Sequence, residues 1–142
     1  MIDEELKNSL ELVRDILETS ESDIVIVKNT QVIYNKQGDT VGLLIKAIEE
    51  LSDNLKGSIV GLRVLGKSSS LLCRYAEVKA VCSPHATKTA IALLIIGGIS
   101  SQIDEMIREI DHESDIVKYE RIVEKISSPE QAYKFLKESF IN

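Results

Sequence analysis

A chain of 142 residues, 44% hydrophobic and 28% charged, suits one domain with a core and a wetted surface. Its net charge of -6 excludes nucleic acid as the main partner, because phosphate binding needs a basic face and no basic run occurs. The acidic start Met1-Ile2-Asp3-Glu4-Glu5 lacks the basic-then-apolar order of a secretion signal, and the apolar run Ala90–Ile99 is shorter than the about 20 residues of a membrane helix.

Residues 3–18 are read as an amphipathic helix, with Leu6, Leu10, Val13 and Leu17 on one face. Asp23–Lys28 (DIVIVK) and Gln31–Tyr34 (QVIY) are β-branched and pair as a hairpin across Asn29-Thr30. Gly38 closes that unit, and Asp39 or Thr40 caps a second helix reaching Leu55. Its apolar surface is wider than one stripe: Val41, Leu44, Ile48, Leu51 and Leu55 make one face, with Leu43, Ile45 and Ala47 round the sides. The surplus suits a partner helix or a second subunit.

Gly57 ends that helix. Ser58–Leu65, Ser70–Cys82 and Thr89–Gly98 are read as three strands, the second from its alternation Leu72, Ala76, Val78, Ala80, Cys82. The third is read as a strand because Gly97-Gly98 would cost about 2 kcal/mol inside a helix. A helix after Ser100 or Ser101 then presents Ile103, Met106, Ile107 and Ile110. Two short helices follow, at 115–126 and from Ser128-Pro129, which carries a cap, an N1 proline and Gln131.

Gly61-Leu62-Arg63-Val64-Leu65-Gly66-Lys67-Ser68 matches the phosphate-loop spacing G-x-x-x-x-G-K-[ST]. In that alternative, Gly61, Gly66, Lys67 and Ser68 bind nucleotide, with Lys67 on the terminal phosphates and Ser68 on magnesium. The intervening Leu, Arg, Val and Leu favour a strand, no acid closes the run Ala90–Ile96, and Asn35-Lys36-Gln37-Gly38 has glycine where base recognition needs aspartate. His85 and His112 lack an orienting partner in sequence, and Cys82 with His85 makes a poor nucleophile and base. Cys73 and Cys82 lack zinc spacing and read as buried thiols. The expectation is a cytoplasmic non-enzyme with no catalytic residue, metal or cofactor.

The hairpin DIVIVKNTQVIYNKQGD, the helix TVGLLIKAIEEL and the block from Ile59 to Gly98 resemble the roadblock/dynein-light-chain superfamily. The resemblance implies an α+β fold of order α-β-β-α-β-β-β-α, one antiparallel sheet flanked by helices. Residues 1–112 would form that domain and residues 113–142 a helical extension packed on it. It also implies a homodimer joined through Val41, Leu44, Ile45, Ile48 and Leu51 of the middle helix and Val60 and Leu62 of the third strand. Such a protein is a scaffold that docks a small Ras-like GTPase or assembles a signalling or motor complex. A ligand-sensing domain, with a small molecule on the sheet's apolar face, is the remaining alternative.

Overall fold

The computed structural model describes residues 3–141, so Met1 and Ile2 of the acidic start lie outside it. Helix α1 (Glu4–Thr19) is capped by Asp3, whose carboxylate accepts from the Leu6 amide at 3.2 Å. Strands β1 (Ile24–Lys28) and β2 (Gln31–Lys36) form the expected hairpin. Asn29 and Thr30, at φ 53 and 63, make its tight turn. Helix α2 (Thr40–Leu51) runs into a 3-10 turn (Ser52–Leu55), and the chain enters β3 (Ile59–Leu62) and the short β4 (Val64–Leu65).

From here the order differs from a meander. Helix α3 (Lys67–Ala76), β5 (Ala80–Thr87), α4 (Lys88–Ile96) and β6 (Ser100–Ile107) alternate, and α5 (Val117–Ile122) and α6 (Pro129–Ile141) finish the chain. The result is one open six-stranded mixed sheet, in the order β2-β1-β3-β5, with β4 also on β5 and β6 on its far side. β1 is antiparallel to β2 and β3; β3, β4 and β6 all pair parallel to β5. The single antiparallel sheet is thereby corrected, because parallel neighbours need helical crossovers, which α3 and α4 supply.

Three readings change with it. Ser70–Cys82 is not one strand: Ser68, Leu71 and Leu72 fall on one buried helical face, and Glu77 ends α3 in the left-handed region at φ 57. Thr89–Gly98 is mostly helix α4, started by Thr87, whose hydroxyl accepts from the Ala90 amide at 3.2 Å. The glycines lie past its last turn, where Gly98 takes φ +72, so their helix-interior cost never arises. The helix expected after Ser100 is strand β6, held in parallel register from Ala80↔Ser100 to Thr87↔Ile107.

Two cores flank the sheet. On one face, Val13 and Leu17 of α1 cover Val25, Val27, Ile59, Ala80 and Cys82. On the other, α2, α3, α4, α5 and α6 share a larger core over Ile26, Val60, Leu62 and Val81. Among the described residues no helix is long and apolar enough to cross a membrane.

Candidate functional site

β2, β3–β4, β5 and β6 all point to the same end of the sheet. Helices α2, α3 and α4 therefore begin at that end, following Lys36, Leu65 and Thr87. In open α/β sheets the ligand crevice lies outside the carboxyl ends of the strands. Here α5 fills it.

α3 starts at Gly66 with no side-chain cap of its own. The Ser70 amide donates back to the Gly66 carbonyl at 3.1 Å, and the amides before it face outward. Glu120 takes two of them: the Lys67 N–H donates to Oε1 at 2.8 Å and the Ser68 N–H to Oε2 at 2.7 Å. The positive end of the helix dipole adds to this hold on a carboxylate. Gly66 permits the approach, because a Cβ there would stand 2.1 Å from Glu120 Oε1. Lys67 Nζ donates to the Glu124 carbonyl at 3.0 Å.

The neighbouring residue closes the start of α2. The Tyr119 hydroxyl donates to Asp39 Oδ2, and Tyr119 itself is buried. Burial, and then the bond to Asp39, push the Tyr119 phenol pKa upward, so it stays a neutral donor. The Ser68 and Ser69 hydroxyls and Asp39 Oδ1 are buried and find no hydrogen-bond partner among the described residues. Phe140 of α6 lies against Gly42, where a Cβ would stand 2.6 Å from its ring. The chain's own C-terminal segment thus seals both helix starts.

The arrangement can hold an oxyanion by fixed dipoles. Among the described residues no three His, Cys, Asp or Glu side chains converge to hold a metal. Cys82 faces the α1 core, and burial raises its pKa to about 11, whereas His85 is exposed with Nε2 3.6 Å from Glu105. His112 is exposed and 4.0 Å from Glu109.

The residues expected at a dimer interface lie in the interior of this chain. Val41, Leu44, Ile45, Ile48, Val60 and Leu62 are buried within this one chain, and Leu51 is half-buried against the same core. α2 spends its wide apolar surface under α3, α6 and the sheet, and β3 is a central strand with no free edge. Of the phosphate-loop set, Gly61 sits in β3 beneath α1, where a Cβ would stand 2.2 Å from Val13 Cγ1. Gly66, Lys67 and Ser68 do begin a helix after a strand, but of the four residues before them Leu62, Val64 and Leu65 lie in β3 and β4, with Arg63 at the bend between. Sequence reasoning missed Asp39, Tyr119 and Glu120 as a group. The only local signal was the Gly-Lys-Ser helix start, and its acidic partner lies in a distant helix.

Residues 12–140 match the family described as TM1506, a domain of unknown function (DUF1893). The structure is similar to that of a DUF1893 family protein (TM1506) from Thermotoga maritima, at 18% identity and TM-score 0.83, covering 98% of this chain and 92% of that one. It also resembles two forms of Acinetobacter baumannii RibD, each 16% identical, at TM-scores 0.53 and 0.50. Those matches cover 70% and 71% of this chain but only 36% and 34% of RibD, and they show the fold alone. No curated protein matches the sequence. The roadblock/dynein-light-chain resemblance is overturned by the family match, and the GTPase partner it implied loses its support.

Proposed function

The chain belongs to the DUF1893 family, and from that premise we propose that it is a non-enzymatic interaction module that pairs with a second copy of itself through α4. The observation that carries this reading is the exposure of Ile95 and Ile96, 67% and 71%, on a helix that is apolar apart from Lys88 and Thr89. A helix hydrophobic all round belongs in an interior, yet α4 is the outermost helix of its layer, packed chiefly on α3, β5 and β6.

The exposed stripe is Lys88, Ala92, Ile95 and Ile96, at helical spacing. It is self-complementary. Two copies of α4 crossing antiparallel at Ala92 approach closely over the small side chain and lay the isoleucines of one copy along the lysine stem of the other. Each Lys88 ammonium then meets the negative end of its mate's helix dipole.

Light scattering on the intact chain and on an I95E/I96E variant tests the pairing. The expected result is a dimer that becomes a monomer in the variant, with helical content unchanged. A native chain that stays monomeric at high concentration, or a variant that stays dimeric, overturns it.

A further inference from the structure

We propose that β6 is a second interaction surface, whose free edge pairs antiparallel with β6 of a second copy and joins the two sheets into one. The choice of a second copy as occupant rests on the pairing of α4 proposed above, to which β6 adds backbone hydrogen bonds. The long edges of the sheet are β2 and β6. An open edge invites another strand unless a bulge, a lysine, a proline or a short length guards it. β2 is guarded: its register slips between Ile26 and Val27 of β1, and it ends in Lys36. β6 has none of these guards. It runs eight residues without proline or lysine, in constant parallel register with β5, and among the described residues β5 is its only strand partner. Its two acids are drawn back onto their own chain, Asp104 to Arg14 at 3.1 Å and Glu105 to within 3.6 Å of His85.

The backbone decides which residues face outward. The Ser100 N–H donates to the Lys79 carbonyl at 3.3 Å, toward β5. Polar groups alternate sides along a strand, so Gln102, Asp104 and Met106 also bond toward β5, and Ser101, Ile103 and Glu105 present N–H and C=O to the open side. Charge then selects the register. A two-fold axis at Asp104 or Glu105 would set like charges face to face, which is destabilising. Centres nearer Ser100 run the ladder off the start of the strand. With the axis at Ile103, Ile103 meets its own copy, Ser101 meets the partner's Glu105, and Gln102 meets the partner's Asp104. Outward groups meet outward groups in this register, as an antiparallel ladder requires.

The same axis fits α4. Ile103 packs half-buried against the larger core, on the α4 side of the sheet. Ala92 is the middle residue of α4, which packs on β6. One two-fold axis passes both, laying α4 on α4 above Ile103 on Ile103. Met106, 60% exposed, then lies opposite the partner's Ser100.

Proline substitution in the full chain tests this, with mass followed by light scattering over a dilution series and amide hydrogen exchange measured in parallel. Ser101→Pro removes an N–H that β5 does not use, so the monomer fold should persist. The dimer Kd should rise by about tenfold or more, since each copy loses one bond to the other. In the native dimer the Ser101, Ile103 and Glu105 amides should exchange slowly and lose that protection on dilution. If Ser101→Pro does not fold, Glu105→Pro, which also removes an outward N–H, carries the same comparison. A native dimer whose three outward amides exchange as fast as exposed ones, or a proline variant that dimerises as tightly as the native chain, overturns the pairing of β6. The pairing of α4 then still stands if I95E/I96E is monomeric. A dimer that survives I95E/I96E but dissociates in Ser101→Pro does the reverse, keeping β6 and overturning α4. A native chain that stays monomeric at high concentration overturns both.

Discussion

Arg63 shows at the scale of one residue why the phosphate-loop spacing misleads. It stands at the break between β3 and β4, and its own amide donates to the Asp23 carbonyl at 3.0 Å. Its guanidinium reaches back to the end of α1, donating to the carbonyls of Leu17 at 2.6 Å, Ser20 at 3.1 Å and Ser22. A cation at a helix C-terminus meets the negative end of the dipole and carbonyls that the helix leaves unpaired. The residue is thus a clamp between α1 and the sheet, and the Gly61 to Gly66 interval is a strand with a kink. Arg63→Ala should lower stability by about 2–3 kcal/mol, the range of charged hydrogen bonds lost together. Lysine should restore only part, since a point charge cannot serve three carbonyls as a planar fork does. Urea midpoints of the three proteins check this; an Arg63→Ala midpoint equal to the native one would remove the clamp from the account.

At the scale of elements, local signals decided what was legible. The hairpin, α1, α2 and the Ser128-Pro129 start of α6 could be read because turn residues, caps and periods stand next to one another in sequence. Ser128 does cap α6, its hydroxyl accepting from the Gln131 amide at 3.3 Å. The stretch from α3 to β6 could not be read in this way. α4 is apolar on every side, so no period separates helix from strand, and in β6 the spacing of Ile103 and Ile107 mimics a helical face. The candidate site was legible only as the Gly-Lys-Ser start of α3, because its acid arrives from α5. The C-terminal helices also complete the core: Ala132 and Leu136 of α6 are fully buried, and Tyr133 stacks on Tyr75 of α3 with centroids 4.3 Å apart. Leu136→Ala should therefore cost about 2–5 kcal/mol, as deletions in tight cores do. A thermal or urea transition that moves by less than a surface substitution would mean that α6 is dispensable.

At the scale of the whole molecule, four groups that release protons only in base are buried among the described residues: Cys73, Cys82, Tyr34 and Tyr119. Burial raises the Cys73 thiol from 9.0 to about 12 and the Cys82 thiol from 9.0 to about 11, and it moves the Tyr119 phenol in the same direction. Each shift favours the protonated form in the folded state. Below pH 9 both states hold these protons and the stability is fully present. Between pH 9 and the folded values the unfolded chain has released thiol protons that the folded chain retains, so unfolding free energy falls as pH rises. The two thiols lie in different cores, one on each face of the sheet, so the loss is shared by the α1 face and the α2–α3–α4 face. Urea unfolding at pH 7, 9 and 10.5 should give a midpoint level over the first interval and lower at the last. Replacing both cysteines by alanine should flatten the decline while lowering the midpoint at every pH, since cavities cost stability regardless of protonation. A native midpoint that stays level to pH 10.5 would mean that the thiols ionise without unfolding the chain, and that neither core is as closed to water as the packing of α1 and α3 implies.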